Sequence, residues 1–150
     1  MKIKQLFSGE SSLQNALLRG AAVWLLIMGV EVVHGIARTA LLAPRTGDFK
    51  ARQISVFSGS ALIMSITYLT IKWIGSRDKS TLLRLGLLWF LLTLIFEFVL
   101  GRKVLHLSWQ RLLSDYNLPK GGLQPIGLLL MTLAPLLMER LQSKQQKRLL

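Results

Sequence analysis

The chain contains no cysteine, which removes disulfides, thiolate metal ligands and cysteine nucleophiles from consideration. Acidic residues are scarce, 7 against 19 lysines and arginines, and there are only 2 histidines. Long stretches lack charge almost entirely. Between Arg19 and Arg38 lie 18 residues interrupted only by Glu31 and His34, and between Arg52 and Lys72 lie 19 with no charge. Arg84 and Arg102 bracket 17 residues containing only Glu97, and Lys120 and Glu139 bracket 18 that are uncharged. A hydrocarbon core of about 30 Å needs about 20 helical residues, and flanking Arg or Lys side chains can snorkel outward to complete the crossing. The blocks therefore predict an all-α, four-helix transmembrane bundle with spans near 18–40, 53–73, 82–102 and 122–139. A soluble bundle would need a polar face on each helix, and stretches such as Ala21 to Val30 and Leu85 to Phe96 have none. The polar lead of 19 residues, with Glu31 directly after the first apolar run, argues against a cleaved signal peptide.

A formal charge of +12 would point to nucleic acid in a soluble protein. Here the basic residues gather at span ends, so anionic lipid head groups are the expected partner and nucleic acid is not. Four spans put both termini and the Lys72 to Arg84 loop on one side, with 11 basic residues against 8 opposite, which predicts cytoplasmic termini. Ser11-x-x-Gln14 has the form of a capping box, marking a helix start before the membrane. Ala40 to Gln53, with Pro44 and Gly47, reads as a loop. In the longer connection from Lys103 to Gly121, Trp109, Leu112, Leu113 and Tyr116 fall at helical spacing behind Ser108. This predicts an interfacial helix over 108–117, either a simple anchor or a lid over a site. Pro135 is placed to kink the fourth span.

The two halves also correspond. Leu17-Leu18-Arg19 with Trp24 parallels Leu82-Leu83-Arg84 with Trp89, and Glu31-x-Val33-x-Gly35 parallels Glu97-x-Val99-x-Gly101. Gln53-Ile54 and Gln124-Pro125-Ile126 open the following spans. The expectation is two parallel two-helix repeats about a pseudo-two-fold axis along the membrane normal, as occurs in some transporters.

Glu31 and Glu97, 12 and 13 residues beyond Arg19 and Arg84, should lie at nearly equal depth in the outer half. Glu31, His34 and Arg38 share one helical face, which the cost of an exposed acid in lipid turns inward. Arg38 and Arg102 are the obvious ionic partners. Arg45, Asp48, Arg52 and Asp115 gather at the same end. Three readings of this cluster follow: glutamate–arginine pairs that fix helix register, a proton or cation site built on two close carboxylates, or a metal site. Glu31-x-x-His34 has the spacing of di-iron bundles, but Leu100 stands where a second histidine belongs, and a haem or metal site using His34 and His106 is the weakest reading. No cofactor is expected. Ser58, Ser60 and Ser65 carry no motif linking them to His34 and are expected to pack helices closely with Gly59 and Ala61.

Glu31-x-x-His34-Gly35-x-x-Arg38, Phe96-Glu97 with Gly101-Arg102, and Ser108-Trp109 with Asp115-Tyr116 resemble a group of small four-span bacterial membrane proteins. That resemblance implies the architecture and a bacterial inner membrane, and it carries no functional residue across. The leading functional expectation is a non-catalytic accessory, scaffold or binding component, with a membrane-protein partner or a second copy as further possible partners. A small proton-coupled exchanger using Glu31 and Glu97, or an enzyme acting on lipid at the outer face with His34 as base, are the alternatives.

Overall fold

The computed structural model describes the backbone of residues 2–149 and the side chains of residues 11–149. The side chains of Lys2 and Lys4, counted in the charge tally, lie outside the described residues. Helix α1 (Lys2–Ala37) passes straight through Ser11 and Gln14. The expected capping box is therefore corrected: a cap needs a non-helical residue, and the polar lead is already helical. A π-helical turn (Arg38–Leu42) and α2 (Ala43–Thr46) extend the helix to Gly47, where a loop was expected. Pro44 is accommodated because it occupies the first turn of α2, where its missing N–H costs nothing. The chain breaks only at Gly47, whose φ of 86° disfavours any residue with a Cβ.

Helix α3 (Asp48–Ile74) stops at Gly75, which takes the left-handed conformation usual for a residue just past a helix end. Helix α4 (Lys79–Val99) starts from Asp78, whose carboxylate accepts the Thr81 N–H at 2.8 Å, and ends in a second π-helical turn (Leu100–Val104). Helix α5 (Trp109–Ser114) lies within the predicted interfacial segment, and Ser108 Oγ caps it by accepting the Arg111 N–H at 3.2 Å. A 3-10 turn (Leu118–Lys120) leads into α6 (Gln124–Arg148), where Pro135 is buried. Among the described residues there is no strand, and four helices are long and apolar enough to cross a membrane.

The helices pack as a ring, α1 against α3, α3 against α6, α6 against α4 and α4 against α1. A two-fold axis along the normal would set α1 diagonally across from α4. The two hairpins instead stand side by side, so the expected axis does not describe the packing. Lipid tails offer helices no hydrophobic drive to associate, so contact depends on close packing and hydrogen bonds. Trp89, fully buried on α4, donates its indole N–H to the Gly20 carbonyl of α1 at 2.8 Å, and Trp24 of α1 donates to Thr93 Oγ of α4 at 2.9 Å. These reciprocal bonds, with Leu85 seated against Gly20, hold two parallel helices in a fixed register. Two threonine hydroxyls inside the spans return to their own helix: Thr67 donates to the Ile63 carbonyl and Thr132 to that of Leu128, both at 2.7 Å. No polar hydrogen is left facing lipid by these residues.

The α4–α6 contact is closest at Gly86, where an added Cβ would stand 1.8 Å from the Thr132 carbonyl oxygen, whereas one at Gly20 would meet only the tip of Leu85. Backbone cannot yield as a leucine tip can. Gly86→Ala should lower the thermal unfolding midpoint in detergent clearly more than Gly20→Ala, in line with the roughly 1–3 kcal/mol typical of overpacking. Equal effects would contradict this contact.

Candidate binding site

The polar residues of α1, α3, α4 and α6 meet at the end of the bundle remote from the termini. The register of α1 on α4 already requires this for Glu31 and Glu97. Their surroundings differ. Glu97 accepts the Tyr116 hydroxyl on one carboxylate oxygen and the Gln124 side-chain N–H on the other, so α4, the loop after α5 and the start of α6 close on it. Burial, aided by the neighbouring Glu97 charge, pushes the Tyr116 phenol well above its usual range, which keeps it a donor. Glu31 is less enclosed. Its Oε2 lies 3.2 Å from His34 Nδ1, while its buried Oε1 has no hydrogen-bond partner. Gly59 of α3 makes the seat for this carboxylate, since a Cβ there would stand 2.9 Å from Oε2.

Among the described residues neither glutamate forms an ion pair with an arginine. The pairing expected with Arg38 and Arg102 is therefore corrected. Arg102 bends back to donate to the Leu107 carbonyl and lies over the Trp109 ring, 5.0 Å from its centroid, because the π-helical turn carries it toward the interfacial loop. Arg38 makes no ion pair, and its buried Nε has no hydrogen-bond partner. Arg45 is exposed on α2, apart from the cluster. His106 is exposed in the loop, with a φ of 51°.

His34 holds a contact that the sequence did not disclose. Its Nε2 is 2.9 Å from Ser58 Oγ, so the expectation that the serines do not pair with His34 is corrected. Both ring nitrogens are occupied within the protein. Ser55 and Ser60, by contrast, are buried with unpartnered hydroxyls.

The remaining candidates form a ring of charges over the cluster. Arg52 reaches Asp48 at 2.7 Å and Asp115 at 2.9 Å, and Arg111 reaches the same two aspartates at 3.2 and 3.0 Å. The Arg52–Asp115 contact is out of line for a hydrogen bond from Nε. This ring ties α5 to the start of α3. Leu112 fills the space above Gly101, and Phe98 stacks on Tyr116 with centroids 5.8 Å apart, so α5 is also docked on α4. Arg111 was expected at this end with Asp115, whereas Tyr116 and Gln124 join the site without having been singled out for it. Only the paired glutamines opening α3 and α6 offered a signal, and Gln53 plays the matching part by donating to the Gly121 carbonyl at 2.8 Å.

Beneath this cover lies a cavity of about 780 Å³ bounded by Glu31, His34, Arg38, Arg52, Glu97 and Asp115, with apolar walls from all four spans. Among the described residues, every buried side-chain N or O atom without a hydrogen-bond partner, on Glu31, Arg38, Arg52, Ser55 and Ser60, belongs to a residue lining it. No family model, curated protein or solved structure matches the chain.

Burial raises the Asp115 carboxyl above its ordinary value of 3.8, ahead of the opposing pull of Arg111. Native Asp115 thus binds a proton that the unfolded chain releases in the window from 3.8 up to the raised native value. Stability from this group falls as pH rises through that window. Asp115→Asn should flatten that part of the stability–pH curve, measured by denaturant unfolding in detergent. An unchanged slope would contradict the assignment.

Proposed function

We propose that this chain is a non-catalytic binding component of a bacterial inner membrane, with cytoplasmic termini and a ligand cavity in the outer half of the bundle. The observation that carries the reading is that, among the described residues, the unpartnered buried side-chain atoms all belong to residues lining one cavity. A purely structural cluster would be closed in the manner of Glu97, each oxygen matched to a donor, because an unmatched buried polar atom costs about 1–3 kcal/mol. The two glutamates then have separate tasks. Glu97 holds α5 and α6 in place, and Glu31 is left to a ligand. The orientation rests on the excess of basic residues beside the termini. An ancient duplication rests on the matched strings of the two halves alone.

One observation favours a second reading. Glu31, His34 and Ser58 stand in the order of a hydrolytic acid, base and nucleophile. Ser58, however, lies inside α3, where its own N–H and those beside it serve the helix and offer nothing to an oxyanion. Labelling of Ser58 by a fluorophosphonate would revive that reading.

The division of labour is open to a direct comparison. Glu97→Gln should cost about 1.5–3 kcal/mol in detergent unfolding, the usual loss for a buried hydrogen bond to a charged group. Glu31→Gln should cost much less while reducing ligand retention. Neither change should alter proton or cation flux in liposomes, and flux abolished by either would replace this reading with an exchanger.

A further inference from the structure

The cavity reaches the surface of the bundle on one side in particular. The hydrogen bonds and ring contacts between α1 and α4 all involve Gly20 or Trp24 on α1, and Trp89, Thr93 or Phe96 on α4. Beyond them, the cavity wall includes Val32 and Ile36 of α1 and Val104 and Leu105 past α4, all exposed. Gly35 also lines the cavity and has no atom within 4 Å of where a Cβ would stand, whereas its counterpart Gly101 is covered by Leu112. Between the distal ends of α1 and α4 there is therefore a lateral opening with apolar edges at the depth of one bilayer leaflet. A ligand using it arrives from the lipid phase.

The unpartnered atoms set the polar requirements. Arg38 is the one cavity arginine without an ion pair among the described residues, and it lies seven residues beyond Glu31 toward the outer end of the bundle. That is about 10.5 Å of helical rise; both side chains lean toward the helix N-terminus, and the longer arginine reaches further back along it. Glu31 Oε1, deeper, requires a donor hydrogen, best a charged one. An anionic group joined by a short linker to an N–H-bearing cation satisfies both. A quaternary ammonium lacks the hydrogen, and a glycerol head lacks the charge.

We propose that the cavity takes a phospholipid with a phosphoethanolamine head, its phosphate on Arg38 and its ammonium on Glu31, with the acyl chains leaving between α1 and α4. Ser55 and Ser60 supply hydroxyls beside the ammonium arm. The assignment rests on the cavity being a binding site, as proposed above.

Binding of dilauroyl phosphatidylethanolamine, phosphatidylcholine and phosphatidylglycerol to the detergent-purified full chain, read by native mass spectrometry, tests it. Phosphatidylethanolamine should bind at least tenfold more tightly than the other two. Glu31→Gln should erase that preference, Arg38→Gln should weaken all three lipids at least tenfold, and Gly35→Phe, which narrows the opening without touching a charge, should weaken them at unchanged helicity. Tailless phosphoethanolamine at the same concentration should not bind, and comparable binding by it would overturn the lipid source. Lipid binding that depends on Arg38 but shows no ethanolamine preference, or keeps one in Glu31→Gln, would sink the head-group assignment and leave the binding cavity intact. Lipid adducts indifferent to Arg38→Gln and Gly35→Phe alike would sink both.

Discussion

Two indole N–H groups set the arrangement on which everything else depends. A tryptophan buried within a membrane protein must find an acceptor, and each of these finds it on the neighbouring parallel helix rather than its own. Because the two bonds are donated from opposite helices and join residues with the same offset of 69, the helices cannot slide past each other without breaking them. That lock carries both glutamates, some two turns further along, to the end of the bundle remote from the termini. It also leaves the distal ends of α1 and α4 free to part, since the contact is concentrated below them.

Close packing elsewhere allows that parting. Helix α6 presses on α4 at Gly86 and passes α3 where Gly127 comes 3.3 Å from a Val56 methyl, measured from its would-be Cβ. The α3–α6 and α4–α6 contacts thus make a firm side of the bundle, opposite the looser one. On the loose side α1 is held at its distal end by polar contacts with α3, through His34 on Ser58 and Glu31 over Gly59. A helix held to one neighbour and released from the other makes one wall of a cleft.

Much of the architecture was legible because lipid imposes it: uncharged blocks of the right length have few other uses. The cap at Ser108 was equally local and equally legible. Pro44 misled because proline ends a helix only when its nitrogen is needed, and a π-helical turn placed it where it is not. The partners of the glutamates were hidden for a different reason. Arg38 and Arg102 are the nearest opposite charges in sequence, but Glu97 is satisfied by Tyr116 and Gln124, neutral donors brought in by a connection whose path no periodicity encodes. The seat at Gly59 was similarly invisible, since its meaning lies in a carboxylate on another helix.

The two glycines at the distal ends carry a lesson about symmetry. Gly35 and Gly101 occupy matching places in similar strings, yet one lies beneath a leucine delivered by the following connection and the other stands bare. The first connection is short and helical nearly to its end, too stiff to fold back, whereas the second is long enough to return as α5. A difference in loop length alone has thus turned equivalent positions into a stopper and a doorway.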